Sequence, residues 1–274
     1  MPSVLVTGAS TGIGEATALR MKRAGWDVFA AARSDEDLAR LRDAGLHSVR
    51  LDVTDAESIQ AARVQLDERG LNGLVNNAGV AVSAPIELVP LDDLRQQLEV
   101  NLVGQVAVIQ AFMPNIREAR GRIVNVSSIG GRMALPLVGP YAASKYALEA
   151  VSDSLRRELR PWGLHVSLIE PGAVVTPIWE KGRATADRVE ANMGERGRQL
   201  YGKLADRIRA ETEKIPDRGV HPDEVAKAIE HALTDSRPKL RYVVGRDAKM
   251  RLKVKALVGD RRMDALIART LDWR

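Results

Sequence analysis

The chain has 274 residues, is 45% hydrophobic and 28% charged, and carries a formal net charge of +5. It is long enough to bury a full core, as one large α/β domain or two small ones, and its composition is that of an ordinary globular protein. It contains no cysteine, which excludes disulfides and thiolate metal sites, and its four scattered histidines form no HExxH-like pair, so no metal site is expected.

The charge is unevenly placed. Residues 236–274 hold 12 Lys/Arg against 4 Asp/Glu, a local +8, which leaves the first 235 residues near −3. A basic tail on a mildly acidic body argues against nucleic acid as a partner. The chain enters an apolar run at Ser3 without a charged leader, and no run approaches the roughly 18–20 apolar residues of a spanning helix. A cytoplasmic location is therefore expected.

Residues 3–6 (SVLV) read as a strand that leads into TGASTGIG and then a helix-period pattern at Ile13, Ala16 and Leu19. Strand, glycine turn and helix are the setting of a dinucleotide fingerprint, although the spacing here is Gly8-x3-Gly12-x-Gly14. Such glycines let backbone N–H groups approach a pyrophosphate at a helix N-terminus, and Gly14 lets helix and strand pack closely. A second strand, 27–32 (DVFAAA), ends at Ala32-Arg33, where an NAD-binding unit would place an acidic residue. Arg33 suits a 2′-phosphate instead, which points to NADP, with NAD the weaker alternative; the other reading of Arg33 is a solvated side chain at the start of a helix over 34–43.

A third strand, 47–51, ends in Asp52-Val53, and a helix is expected over Asp55–Arg69 with Thr54 or Asp55 as N-cap. A fourth strand, near 71–75, ends in Asn76-Asn77-Ala78-Gly79, on the sheet edge where open α/β folds bind ligands. Residues 92–118 read as one long helix, apolar at Leu94, Leu98, Leu102, Val106 and Ile109, with Pro114 marking a kink or restart. Asn101 inside it is either a kink-stabiliser or a site residue, because a buried Asn must be paired.

The stretch 121–145 organises the rest. The strand GRIVNV breaks into a Ser/Gly loop (Ser127, Ser128, Gly130, Gly131) and restarts as a helix near Tyr141 that runs to about Arg160. Tyr141 and Lys145 lie four residues apart and so project from one helical face. A phenol beside an ammonium is a proton-transfer pair: an isolated Tyr titrates near 10, and a neighbouring cation is expected to lower that value. A further strand over 164–170 leads into Pro171-Gly172-Ala173-Val174-Val175-Thr176, on the same sheet edge.

Residues 177–218 break this rhythm with polar helical stretches near 184–193 and 195–214. Their isolated apolar residues, Trp179, Met193 and Tyr201 among them, suit a lid over a substrate; a solvated helical excursion is the alternative. A helix over 224–234 and a strand over 240–244 close the pattern. The tail, 247–274, is basic and amphipathic; it is placed first against the body, then against another subunit, and last on an anionic membrane surface. The regular alternation predicts a single-domain Rossmann fold over 1–274, a doubly wound parallel sheet of about seven strands with helices on both faces.

Taken in order, Thr7-Gly8-x3-Gly12-Ile13-Gly14, Asp52-Val53, Asn76-Asn77-Ala78-Gly79, Asn101, Ser128, Tyr141-x3-Lys145 and Pro171-Gly172 with Thr176 resemble the short-chain dehydrogenase/reductase family to about residue 245. The resemblance implies a catalytic set of Asn101, Ser128, Tyr141 and Lys145, with Tyr141 the acid/base, Lys145 its activator and Ser128 the carbonyl-orienting residue. The family's serine lies 13 positions before the tyrosine, which selects Ser128 over Ser127. A cofactor site is implied at Gly8, Ser10, Thr11, Gly12, Ile13, Gly14, Arg33, Asp52, Val53, Asn77, Ala78, Gly79, Pro171, Gly172, Val174 and Thr176, with Tyr141, Lys145 and Ile169 beside the cofactor. SDSLRREL (152–159) and IEPG (169–172) look like the hydroxysteroid and retinol dehydrogenase group, which implies NADPH-dependent interconversion of a carbonyl and an alcohol on a hydrophobic substrate. The family's usual dimers or tetramers would here use the helices at 92–118 and 141–160. Enoyl reduction is disfavoured, because that branch spaces Tyr and Lys by six residues. A non-catalytic NAD(P)-binding protein would have no need of all four catalytic residues.

Overall fold

A computed structural model describes residues 1–66 and 70–273. Seven parallel strands form one sheet: β1 (Ser3–Val6), β2 (Asp27–Ala32), β3 (His47–Arg50), β4 (Gly73–Asn76), β5 (Arg122–Val126), β6 (His165–Pro171) and β7 (Arg241–Val244). Their order is β3-β2-β1-β4-β5-β6-β7. The chain starts in the middle, builds outward to β3, then crosses back to lay β4 against the other side of β1. Between β1 and β4 lies the switch point where doubly wound sheets open a crevice.

Each strand feeds two cores, because alternate residues point to opposite faces. Val4, Val6, Val28, Ala30, Val124 and Ile169 face α1 (Gly12–Arg23) and the later helix Pro222–Thr234. Leu5, Phe29, Leu74, Ile123 and Val166 face the opposite core with Ile59, Val108, Phe112 and Ile116. In register Leu5 sits between Phe29 and Leu74, so neighbouring strands present matched layers.

The helices between strands are α2 (Asp35–Asp43), α3 (Ala56–Gln65), α4 (Leu91–Leu98), α5 (Gly104–Glu118) and α6 (Gly139–Leu159). Ser34 and Asp55 cap α2 and α3 through their side chains. The expected end of the third helix at Arg69 lies outside the described residues. The long helix expected over 92–118 is α4 and α5 joined by a π-helical turn, Glu99–Val103, that contains Asn101. Pro114 does not end it; α5 runs through to Glu118. Leu94, Leu98, Leu102 and Val106 are only half-buried, whereas Gln97, Asn101 and Gln105 are buried almost completely. Ile109, the last of the expected apolar positions, is buried, so it is over 97–105 that carboxamides take inward positions beside Val100.

After β6 come α7 (Ile178–Asn192), α8 (Gly194–Glu213) and the single turn α9 (Ile215–Arg218), followed by α10 (Pro222–Thr234). The first lid helix begins six residues before the expected start at 184. The basic tail forms α11 (Arg246–Leu257) and α12 (Asp260–Thr270) and packs back on the body. Ala248, Met263 and Leu271 are its buried anchors, and Leu271 joins Leu204 of α8 and Leu137 in a small apolar cluster. Among the described residues no helix is long and apolar enough to cross a membrane.

Candidate active site

The turn after β1 is built for close backbone approach. Gly8 and Gly12 have φ of +62° and +61°, conformations in which a side chain is strained. A Cβ on Gly14 would stand 2.2 Å from the Gly8 carbonyl oxygen. Helix α1 starts at Gly12, so its first free N–H groups and the positive end of its dipole face the turn. Ser10, Thr11 and Ile13 line the same turn, and the Thr11 side chain makes no capping bond. This glycine-lined cradle at a helix N-terminus fits a pyrophosphate.

The β4 end is bolted to it. The buried Thr7 hydroxyl accepts the N–H groups of Asn77 (2.9 Å) and Ala78 (3.0 Å), and the Asn77 amide donates to the carbonyls of Thr7 (2.9 Å) and Gly8 (3.1 Å). Thr176 meets the cradle from the other side: a Cβ on Gly12 would lie 2.9 Å from its methyl group. Past β2, the exposed Arg33 guanidinium stands 3.6 Å from the Asp52 carboxylate. Burial alone would raise the Asp52 carboxyl, but the N–H and hydroxyl of Thr54, with Arg33, hold it below its ordinary value. Val53 is buried beneath α5, and Val174 is buried where it bridges to Val220. Arg40 was not anticipated; its guanidinium reaches back from α2 to the Ser10 carbonyl at 2.5 Å.

Among the described residues the segment 80–82 pairs with no strand, and side chains of the helix beneath it supply its hydrogen bonds. The Asn101 carboxamide accepts the Val80 N–H (2.9 Å) and donates to the Val80 carbonyl (3.0 Å) and the Ser144 hydroxyl (3.1 Å). Gln97 accepts the Val82 N–H (2.6 Å) and donates to Val80, and Gln105 donates to the Ala78 carbonyl. The i, i+4, i+8 spacing of Gln97, Asn101 and Gln105 was the available signal for this polar stripe, of which only Asn101 was singled out in advance.

Ser128 follows β5 and caps a 3-10 turn, its hydroxyl accepting the Gly130 N–H at 3.0 Å. A Cβ on Gly130 would touch both the Ser128 hydroxyl and the Tyr141 ring, at 3.3 Å each, so the two side chains flank one point. Lys145 is 4% exposed; its ammonium donates to the Val126 carbonyl at 2.8 Å and lies 5.8 Å from the Tyr141 ring centre. The expected lowering of the Tyr141 pKa by Lys145 is not what the geometry gives. Burial raises the phenol above its ordinary value, and the opposing influence is the Ser128 hydroxyl. Burial likewise pulls Lys145 down to about 8, against the attraction of Glu149.

Ser128 and Tyr141 open onto a cavity of about 290 Å³. Met133 and Leu137 wall one side, and Trp179, Met193 and Tyr201 line it from α7 and α8, where the sequence had placed substrate-facing residues. Gly172 stands at the same mouth. The Trp179 indole donates to the Val174 carbonyl at 2.7 Å, tying the root of α7 to the β6 exit. Arg188 of α7 pairs with the buried Asp93 at 2.8 Å, which fastens the lid to α4. Asp187, Glu190 and Arg209 also line the cavity, as a paired cluster among the apolar residues.

The family model for short chain dehydrogenases matches residues 2–187. The chain belongs to that family. It is 37% identical to human retinol dehydrogenase 5 over 260 residues, 90% of this chain and 81% of that protein. It is 36% identical to an NADPH-dependent 3-dehydrocapnine reductase of Ornithobacterium rhinotracheale, over 99% of this chain and 98% of that one. A crystal structure of a short chain dehydrogenase from Burkholderia cenocepacia in complex with NADP superposes with a TM-score of 0.74, at 25% identity, covering 98% of this chain and 96% of that one. The protein is an oxidoreductase acting on CH–OH and C=O groups, as its relatives are named.

Proposed function

We propose that this enzyme is an NADPH-dependent reductase of hydrophobic ketones or aldehydes that also runs the reverse oxidation. One observation carries the reading: Ser128 and Tyr141 flank a single point and both line a largely apolar cavity. NADPH, when bound, supplies the hydride. The cradle at Gly8–Gly14 would take its pyrophosphate, Asp52 and Val53 its adenine, Arg33 its 2′-phosphate, and Asn77, Gly79, Pro171 and Thr176 its remaining length. Lys145 would hold the nicotinamide half, with Asn101 anchoring a water near it.

In reduction, the substrate oxygen is held by the Ser128 and Tyr141 hydroxyls, and Tyr141 gives up its proton as that oxygen becomes an alcohol. A phenol kept neutral by burial is the form that donates. Ser128 stabilises the developing negative charge, an effect worth about 3 kcal/mol at comparable positions. Trp179, Met193 and Tyr201 would grip the apolar body of the substrate.

The chain is read as one working unit over 1–274, with 177–218 as lid, in a cytoplasmic setting. A homodimer or homotetramer would cover the half-buried Leu94, Leu98, Leu102 and Val106 together with the exposed Val103 and Tyr146. The test is NADPH oxidation against steroids, retinoids, medium-chain ketones and aldehydes, with Tyr141→Phe as control. Turnover is expected to fall by orders of magnitude in Tyr141→Phe while NADPH still binds; near-wild-type turnover would sink the mechanism.

A further inference from the structure

The basic tail packs on the body through only one side of each of its helices. In α11 that side carries Ala248, which is fully buried, and Lys255, whose ammonium bonds to the Arg132 carbonyl and the Tyr146 hydroxyl. Residues seven apart share a helical face, so these two fix the phase of the helix. Arg246, Met250, Lys253 and Leu257, at i, i+4, i+7 and i+11, lie on the opposite face, and all four are exposed with Lys249 beside them. Helix α12 repeats the arrangement. Met263, Ile267 and Leu271 turn inward, while Arg261, Arg262, Ala265, Leu266 and Arg269 face out.

The two outer faces share one chemistry. Arg246, Lys249, Lys253, Arg261, Arg262 and Arg269 are all exposed, and none of these side chains forms an ion pair or hydrogen bond with a described residue. No carboxylate shares either face: Asp247 lines the cavity, and Asp260 and Asp264 fall on the Ile267 side of α12. Among the cations stand three large apolar side chains, Met250, Leu257 and Leu266, exposed by 63%, 85% and 47%. Unpaired cations around exposed apolar side chains match the surface of an anionic bilayer. The cations stay with the lipid headgroups, and the apolar side chains enter the boundary with the acyl chains.

We propose that the outer faces of α11 and α12 form a peripheral docking surface for an anionic membrane. A nucleic acid would pair the cations with phosphates but leave Met250, Leu257 and Leu266 against a polar backbone, and these faces carry no aromatic ring for base stacking. A second copy of the same face would set cation against cation. An anionic lipid surface takes both the charge and the apolar side chains. Helix α11 also lines the cavity, through Asp247 and Arg251, so docking holds that pocket within one helix diameter, about 10 Å, of the lipid. The docking surface stands apart from the reductase reading, because vesicle binding is measured without cofactor or substrate.

The test is flotation of the full chain with phosphatidylcholine vesicles, with and without phosphatidylserine. The protein is expected to float with the phosphatidylserine vesicles and to stay behind with phosphatidylcholine alone, and added salt should release it. Each cation near such a leaflet strengthens binding about fivefold, so Lys249→Gln with Lys253→Gln, or Arg261→Gln with Arg262→Gln, should weaken it roughly 25-fold. The two pairs lie on different helices, so either decides if the other variant does not fold. Met250→Ser with Leu257→Ser keeps every charge and should weaken vesicle binding about tenfold while leaving binding to heparin unchanged. Absence of flotation with phosphatidylserine vesicles would overturn the proposal. Equal flotation of wild type and the Met250→Ser, Leu257→Ser protein would overturn it too, by making the face a site for any polyanion. A dimer in sedimentation that those two substitutions dissociate would assign the face to contact between copies instead.

Discussion

Leu271 of the basic tail and Leu204 of the lid helix α8 are both buried against Leu137, a residue that also lines the cavity. The tail is thereby the outer support of the lid, reinforced by an Arg207–Asp272 pair at 3.0 Å. Leu271→Asp puts a charge into that cluster and should loosen α8 over the cavity. The expected result is a substrate KM raised roughly tenfold, about the value of one lost apolar contact, with NADPH affinity changed little. An equal loss of NADPH affinity, measured by fluorescence titration, would show that the tail supports the whole fold and not the lid.

Lys145 carries a stability cost as well as a function. Its folded value of about 8 lies below the ordinary 10.5, so the folded state resists its protonation. Below pH 8 both states are protonated and the full penalty applies; between 8 and 10.5 it fades as the folded form sheds its proton first. Lys145→Met should therefore be the more stable protein at pH 7, by about 1–3 kcal/mol. That margin should shrink as pH rises past 8. Denaturant melts of the two proteins across this range check it, and a constant margin would contradict the sign.

Arg33 presents an exposed guanidinium beside Asp52 at the end of β2. If it reads the 2′-phosphate, Arg33→Leu removes a charge-assisted contact worth about 1.5–3 kcal/mol. NADPH should then bind roughly ten- to a hundredfold more weakly, with NADH affected by about twofold or less. Equal losses for the two cofactors refute the role given to Arg33.

Asn101→Ala deletes two bonds to the Val80 backbone and one to Ser144. Stability should fall by about 2–4 kcal/mol, since each buried group left unpaired costs about 1–3. The loss is read as a lower denaturant midpoint at unchanged m-value. A loss below 1 kcal/mol would mean that the 78–82 segment is held by something else.

Much of this architecture is legible from residue order alone. Apolar runs such as DVFAAA and RIVNV bury on both faces and announce a parallel sheet, and the glycine spacing after β1 shows where the backbone must be approached. Tyr141, Lys145 and Ser128 come together because a four-residue step and a strand end are local geometry. What stayed hidden was long-range. The apolar periodicity of 94–109 reached the core only at Ile109; before it, buried carboxamides took inner positions in order to serve irregular backbone. The Glu149–Arg241–Glu170 cluster joins α6, β7 and β6, elements whose adjacency appears only once the sheet is assembled. The direction of the Tyr141 shift was also missed, since burial is a property of the packed state.

The carboxamides of Gln97, Asn101 and Gln105 make the helix behave, for one short segment, as an edge strand would. Ala78, Val80 and Val82 are met rung by rung, with helical turns in place of alternating residues. The position of the cavity wall is therefore indexed to helix phase and not to sheet register. Inserting a single residue between Gln97 and Gln105 would rotate one end of the stripe by about 100° relative to the other and unpair that wall, while every strand of the sheet kept its neighbour.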